Sequence, residues 1–83
     1  MSGYQTTQVE EQEKRFTIAA EYDGNSLLLY FADALPGTAT SSPLWRIRKL
    51  LYDGNGNFTR LIWPNGDTTN NYVWDIRSTY SYS

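Results

Sequence analysis

Eighty-three residues suffice for a single domain with a thin core, one that buries little more than ~60% of the surface its unfolded chain would expose. The sequence holds no histidine and no cysteine, which removes disulfides, zinc knuckles, a thiol nucleophile and the usual proton shuttle, and argues against a small extracellular signalling module. Seven Lys+Arg against nine Asp+Glu leave a net charge of −2, which opposes the broad phosphate neutralisation that duplex binding requires.

Residues 1–15 are polar and nearly without aliphatic side chains, with Glu10, Glu11 and Glu13 close together. Such a segment cannot offset its own ordering entropy, so an N-terminal arm is expected that is flexible alone and held by a partner. The competing expectation is a short helix through Val9 to Lys14, docked on its own domain. The acidic start lacks the basic and apolar regions of a signal peptide, and no apolar run approaches the ~20 residues that span a bilayer. A soluble protein made inside the cell is the expectation.

From Phe16 the pattern has period two. Phe16, Ile18, Ala20 and Tyr22 alternate with Thr17, Ala19 and Glu21, which predicts a half-buried strand ending at the turn Asp23-Gly24-Asn25. Leu27 to Ala32 is apolar on both faces and suits a central strand, although periodicity alone leaves a short helix open. Asp33 to Pro43, with Pro36-Gly37 and a Thr/Ser run, has the composition of a surface loop and is expected to cross from one sheet edge to the other.

A third strand begins at Leu44, with Trp45 and Ile47 facing one way and Arg46 and Arg48 the other. Leu50-Leu51 breaks that alternation and marks a bulge. Asp53-Gly54-Asn55-Gly56-Asn57 and Pro64-Asn65-Gly66-Asp67 carry the strongest short hairpin signal, a type I′ turn with positive φ at both central residues. Between them Phe58 to Trp63 reads as a strand with Leu61 and Trp63 on one face and Phe58, Arg60 and Ile62 on the other, ended by Pro64. A last strand is expected from Tyr72, Trp74, Ile76, Tyr80 and Tyr82 at even positions, against Val73, Asp75, Arg77, Thr79 and Ser81 at odd ones. The whole predicts an all-β domain over residues 16–83, a small antiparallel sandwich or barrel-like meander of about five strands.

Little in this pattern carries chemistry. The carboxylates fall in the arm or at the turn positions Asp23, Asp53 and Asp67, where Asp is ordinarily a turn former rather than one of a pair held across a cleft. Asp53 to Asn57 spaces oxygen ligands like a shortened calcium loop but lacks the closing Glu, so a plain hairpin turn is the reading. Neither a cofactor nor a metal is implied. Arg46, Arg48 and Lys49 beside Trp45, and Arg60 near Trp63, are the only cations interleaved with aromatics. That pairing serves single-stranded nucleic-acid binders, but out-facing Arg with in-facing Trp is equally ordinary in a half-buried sheet. Asp75 and Arg77 could form a modest surface ion pair. Aromatics make up 16% of so small a chain, more than its core can hold, and interface use is the expected reason. The candidates are Trp45, Arg46, Arg48, Trp63, Tyr72, Trp74, Arg77, Tyr80 and Tyr82.

The order Leu35-Pro36-Gly37-Thr38-Ala39-Thr40-Ser41, Trp45-Arg46-Ile47-Arg48, Pro64-Asn65-Gly66-Asp67, Tyr72-Val73-Trp74-Asp75-Ile76-Arg77 and Thr79-Tyr80-Ser81-Tyr82-Ser83 resembles a family of small tailed-bacteriophage proteins found among structural genes. The resemblance covers about residues 30 to 83. It implies a virion component of the tail, neck or head surface, made in the host cytoplasm, with no catalytic residue. A weaker likeness to the YD repeat, in Tyr52 to Asn57 and Tyr72 to Asp75, involves one unit only, whereas repeat shells need several stacked copies. The expected function is therefore non-enzymatic: protein–protein assembly into a cyclic homo-oligomer or onto other virion proteins, with no nucleic acid and no membrane. The alternatives are a carbohydrate- or receptor-binding module of a fibre or tail tip, and a single-strand nucleic-acid binder with Arg46, Arg48 and Arg60 on one concave face.

Overall fold

The computed structural model of the protein describes residues 16–83. The arm expected over residues 1–15, and the alternative helix through Val9 to Lys14, lie outside the described residues. Strands β1 (Thr17–Tyr22), β2 (Leu28–Ala34), β3 (Arg46–Tyr52) and β4 (Phe58–Ile62) form one antiparallel sheet in sequence order, an all-β meander. The sheet is open rather than a closed barrel, and no second sheet packs on it among the described residues.

Two of the connections are the same turn built twice. In Asp23-Gly24-Asn25-Ser26 and Asp53-Gly54-Asn55-Gly56 the aspartate Oδ1 accepts from the amides two and four residues on, Asn25 and Leu27 in the first and Asn55 and Asn57 in the second. The fourth residue, Ser26 at φ 65° or Gly56 at φ 83°, is left-handed, and the register shifts in the strand just before the loop. At Asp53–Asn57 this four-residue reversal with one left-handed residue replaces the expected type I′ turn, because the Asx bonds hold Asn55 at negative φ. The type I′ geometry occurs at Asn65-Gly66, with φ 52° and 70°, closed by the Asp67 amide donating to the Pro64 carbonyl at 2.8 Å. The loop after β2 joins neighbouring strands instead of crossing the sheet, since β2 pairs directly with β3.

The predicted fifth strand is replaced by a short clasp. Trp45 and Tyr72 form an isolated bridge, a 3-10 helix runs over Trp74–Thr79, and Pro64 and Tyr82 form a second bridge. The alternation over Tyr72–Tyr82 resembles a strand, but the backbone turns so that Trp74, Tyr80 and Tyr82 all land on the sheet. Side chains of the clasp fix the bend. The Tyr80 hydroxyl accepts from the Val73 amide at 2.8 Å, the Tyr82 hydroxyl donates to the Arg77 carbonyl at 2.9 Å, and the Asp75 amide reaches the Thr40 carbonyl at 3.2 Å. Arg77 pairs with Glu21 of β1 at 2.7 Å rather than with Asp75, and lies over the Trp74 ring at 4.3 Å.

The clasp covers one face of the sheet, and the core lies between them: Tyr30, Ala32, Ala34, Trp45, Ile47 and Trp74, with Ala19, Tyr72, Tyr80 and Tyr82 against it. Ala32 opposite Ala19 and Ile47 keeps this face shallow enough for the Tyr and Trp rings to settle on it. Tyr82 packs on Tyr30 with ring centroids 5.6 Å apart, and burial raises the pKa of both phenols above the ordinary value, so both hold their protons more tightly.

Candidate functional site

Strand alternation sends the other residues of β1–β4 to the opposite face. Register places Ile18 beside Asp33 and Arg46, Ala20 beside Phe31 and Arg48, and Leu50 beside Leu61. One step beyond the paired Thr17 and Ala34 come Phe16 and Leu35. Together with Leu44, Thr38 and Asn70 they line an apolar hollow of about 300 Å³. Apolar side chains stay exposed here: Phe16 at 52%, Ile18 at 60%, Leu35 at 62% and Leu44 at 55%, with Leu61 at 41% further along. In β1 the assignment of faces is the reverse of what composition suggests. Thr17, Ala19 and Glu21 turn toward the clasp and are half-buried, while Phe16, Ile18 and Ala20 turn to the open side.

At the centre of the open face lies a charge cluster. Asp33 of β2, 6% exposed, binds Arg48 and Arg46 of β3 through the same carboxylate oxygen, Oδ2. The Arg48 guanidinium is sandwiched between Phe31 and Trp63, 4.9 and 5.1 Å from the ring centroids, and Arg46 lies 5.7 Å from Trp63. The stacked aromatic faces bury the Arg48 side chain to 12% exposure while attracting its charge, whereas Arg46 stays 38% exposed. The cluster is not saturated. Asp33 Oδ1, Arg46 Nε and Arg48 Nε are buried without a hydrogen-bond partner among the described residues. One carboxylate stands against two guanidiniums, so the cluster of these three side chains carries a net positive charge.

The structure divides the candidate interface residues. Trp45 and Trp74, 2% and 8% exposed, belong to the core, where they pack on each other at 6.3 Å. Tyr72, Tyr80 and Tyr82 belong to the clasp, and Arg77 is held by Glu21 and the Trp74 carbonyl. Arg46, Arg48 and Trp63 come together on the open face. Arg60, paired opposite Leu51, sits on the other side of the sheet from them. Sequence reading missed Asp33, which falls at the junction between an apolar run and a loop. Its signal was an acid directly across from Arg46, and that becomes visible only once β2 and β3 are paired in register.

The turn aspartates accept hydrogen bonds from the amides of their own loops. Amide and side-chain donors from Asn57, then the Asn55 amide, hold the Asp53 carboxyl below its ordinary range. The Thr69 amide and the Tyr72 hydroxyl do the same for Asp67, and that bond in turn raises the Tyr72 phenol. Comparison with protein-family models, curated proteins and solved structures finds no match.

Proposed function

We propose that this protein is a non-enzymatic structural component that works by protein–protein assembly, in the setting its resemblance to tailed-phage virion proteins suggests: the tail, neck or head surface. The observation that supports the reading is the open face, where exposed Phe16, Ile18, Leu35, Leu44 and Leu61 share the surface with an aromatic-stacked Arg cluster. A sheet that the described residues cover on one side, with aliphatic side chains projecting from the other, gains most by burying them against a neighbour. The aromatic and Arg content of that face is the composition of an interface centre.

The reading is tested by light scattering on the purified chain across a range of concentrations, with Ile18→Lys as the comparison. A defined oligomer that Ile18→Lys weakens at least tenfold supports it. A monomer at every concentration, for a folded full-length chain, counts against intrinsic assembly and moves the reading toward a module that binds sugars or receptors.

A further inference from the structure

Resting on the assembly reading, we infer that the open face of one copy receives the clasp of a second copy of this chain. Ile76 of the incoming clasp seats in the hollow of Phe16, Leu35 and Leu44, and its neighbour Asp75 pairs with Arg46.

The 3-10 helix of the clasp sets these two side chains apart. Trp74 is buried, and Arg77, three positions on, bonds Glu21 and the Trp74 carbonyl. At three residues per turn that leaves Asp75 and Ile76 on the outward side. The backbone departs from helical geometry at Ile76, whose carbonyl accepts from the Thr79 hydroxyl at 2.7 Å. Ile76 is 46% exposed, a large aliphatic side chain on a surface shared with Asp75, Ser78 and Thr79. Elimination selects the acid. Among the described side-chain carboxylates, Asp33 is held by Arg46 and Arg48, Glu21 by Arg77, and Asp23, Asp53 and Asp67 by amides of their loops. The exposed Asp75 carboxylate makes no hydrogen bond or ion pair among the described residues.

The open face offers the matching pair. Ile18, Asp33 and Arg46 form one row across the sheet, and Phe16, Leu35 and Leu44, around the hollow of about 300 Å³, lie one same-face step away. That step is roughly 6.8 Å, a gap that two adjacent outward side chains bridge, since their Cα atoms are about 3.8 Å apart and the side chains diverge. Charge fixes the orientation. Arg46 is the more exposed cation of a cluster with net positive charge, so Asp75 gains against it, whereas the hollow would strip the carboxylate of water and return no donor charge. Clasp and open face lie on opposite sides of one sheet, so a single chain carries both halves of the contact and cannot join them to each other. The contact is head-to-tail, and it closes into a ring when the rotation per subunit permits.

Substitutions at two exposed positions separate the halves. Ile76→Asp spoils the clasp and keeps the open face, and Leu44→Asp does the reverse. By light scattering on the full-length chains, each variant alone is expected to be a monomer, and their equimolar mixture a 1:1 dimer that grows no further. Asp75→Lys, at a position with no side-chain bond to lose among the described residues, is expected to weaken association about tenfold with the urea midpoint unchanged. An oligomer that survives Ile76→Asp overturns the inference and leaves the assembly reading standing. So does a mixture of two monomeric variants that stays monomeric, or association unchanged by Asp75→Lys. A wild-type chain that is monomeric at every concentration removes both.

Discussion

Asp33 is the residue on which the open face depends, because its one buried carboxylate is the partner of two guanidiniums. Removing one partner of a buried pair leaves the other uncompensated, at a cost of about 3–5 kcal/mol. Asp33→Ala is therefore expected to lower the unfolding free energy by about 3 kcal/mol in urea titrations. The double change Asp33→Leu with Arg48→Met should recover most of that loss, since the aromatic sandwich of Phe31 and Trp63 accepts a thioether. At Asp53 and Asp67 the sign is set by their loops: donors stabilise the ionised form, so the folded-state value lies below the unfolded one. Their contribution is present above the unfolded value near ~3.9 and is lost as pH falls through the folded one. Carboxyl NMR titration should find both midpoints below that of a model peptide, and Asp67→Asn should flatten the acid limb of the stability profile.

The two matched turns invite a comparison between elements. Both need a left-handed residue in the fourth loop position, and one supplies glycine while the other supplies serine. A non-glycine residue there costs roughly 1 kcal/mol. Ser26→Gly should raise stability by about 0.5–1 kcal/mol and Gly56→Ser should lower it by a similar amount, both visible as shifts in urea midpoint at unchanged slope. The contrast also shows what the sequence could convey. Strands β1, β3 and β4, the inner place of β2, the bulge after Leu50-Leu51 and the opposed facings of Trp45 and Arg46 follow from local period and turn chemistry, and all were readable. The turn type at Asp53 was not, because the aspartate's side-chain bonds override the Asn-Gly preference. Nor was the clasp, where tertiary bonds from Tyr80 and Tyr82 bend a segment whose alternation is that of a strand. The Asp33 cluster required register, which no single segment contains.

At the scale of the whole molecule the two faces of the sheet should respond differently to substitution. Ile47 is fully buried under the clasp, and Ile47→Ala is expected to cost about 2–4 kcal/mol. Leu61→Lys, on the open face, should leave monomer stability within about 0.5 kcal/mol while weakening any oligomer. Chemical denaturation and light scattering on the same two variants separate folding from association.

The clasp also orders events in time. Each strand pair in the sheet joins neighbours in sequence, so the hairpins close over loops of five, eleven and five residues, on the scale of microseconds. The Arg77–Glu21 bond spans 56 positions and cannot form until the meander already exists. Between those two stages the Ala and Tyr floor of the sheet is bare on both sides at once. A nascent chain in that interval offers two sticky surfaces rather than one, and the arrival of Trp74, Tyr80 and Tyr82 decides which of them remains open to a neighbour.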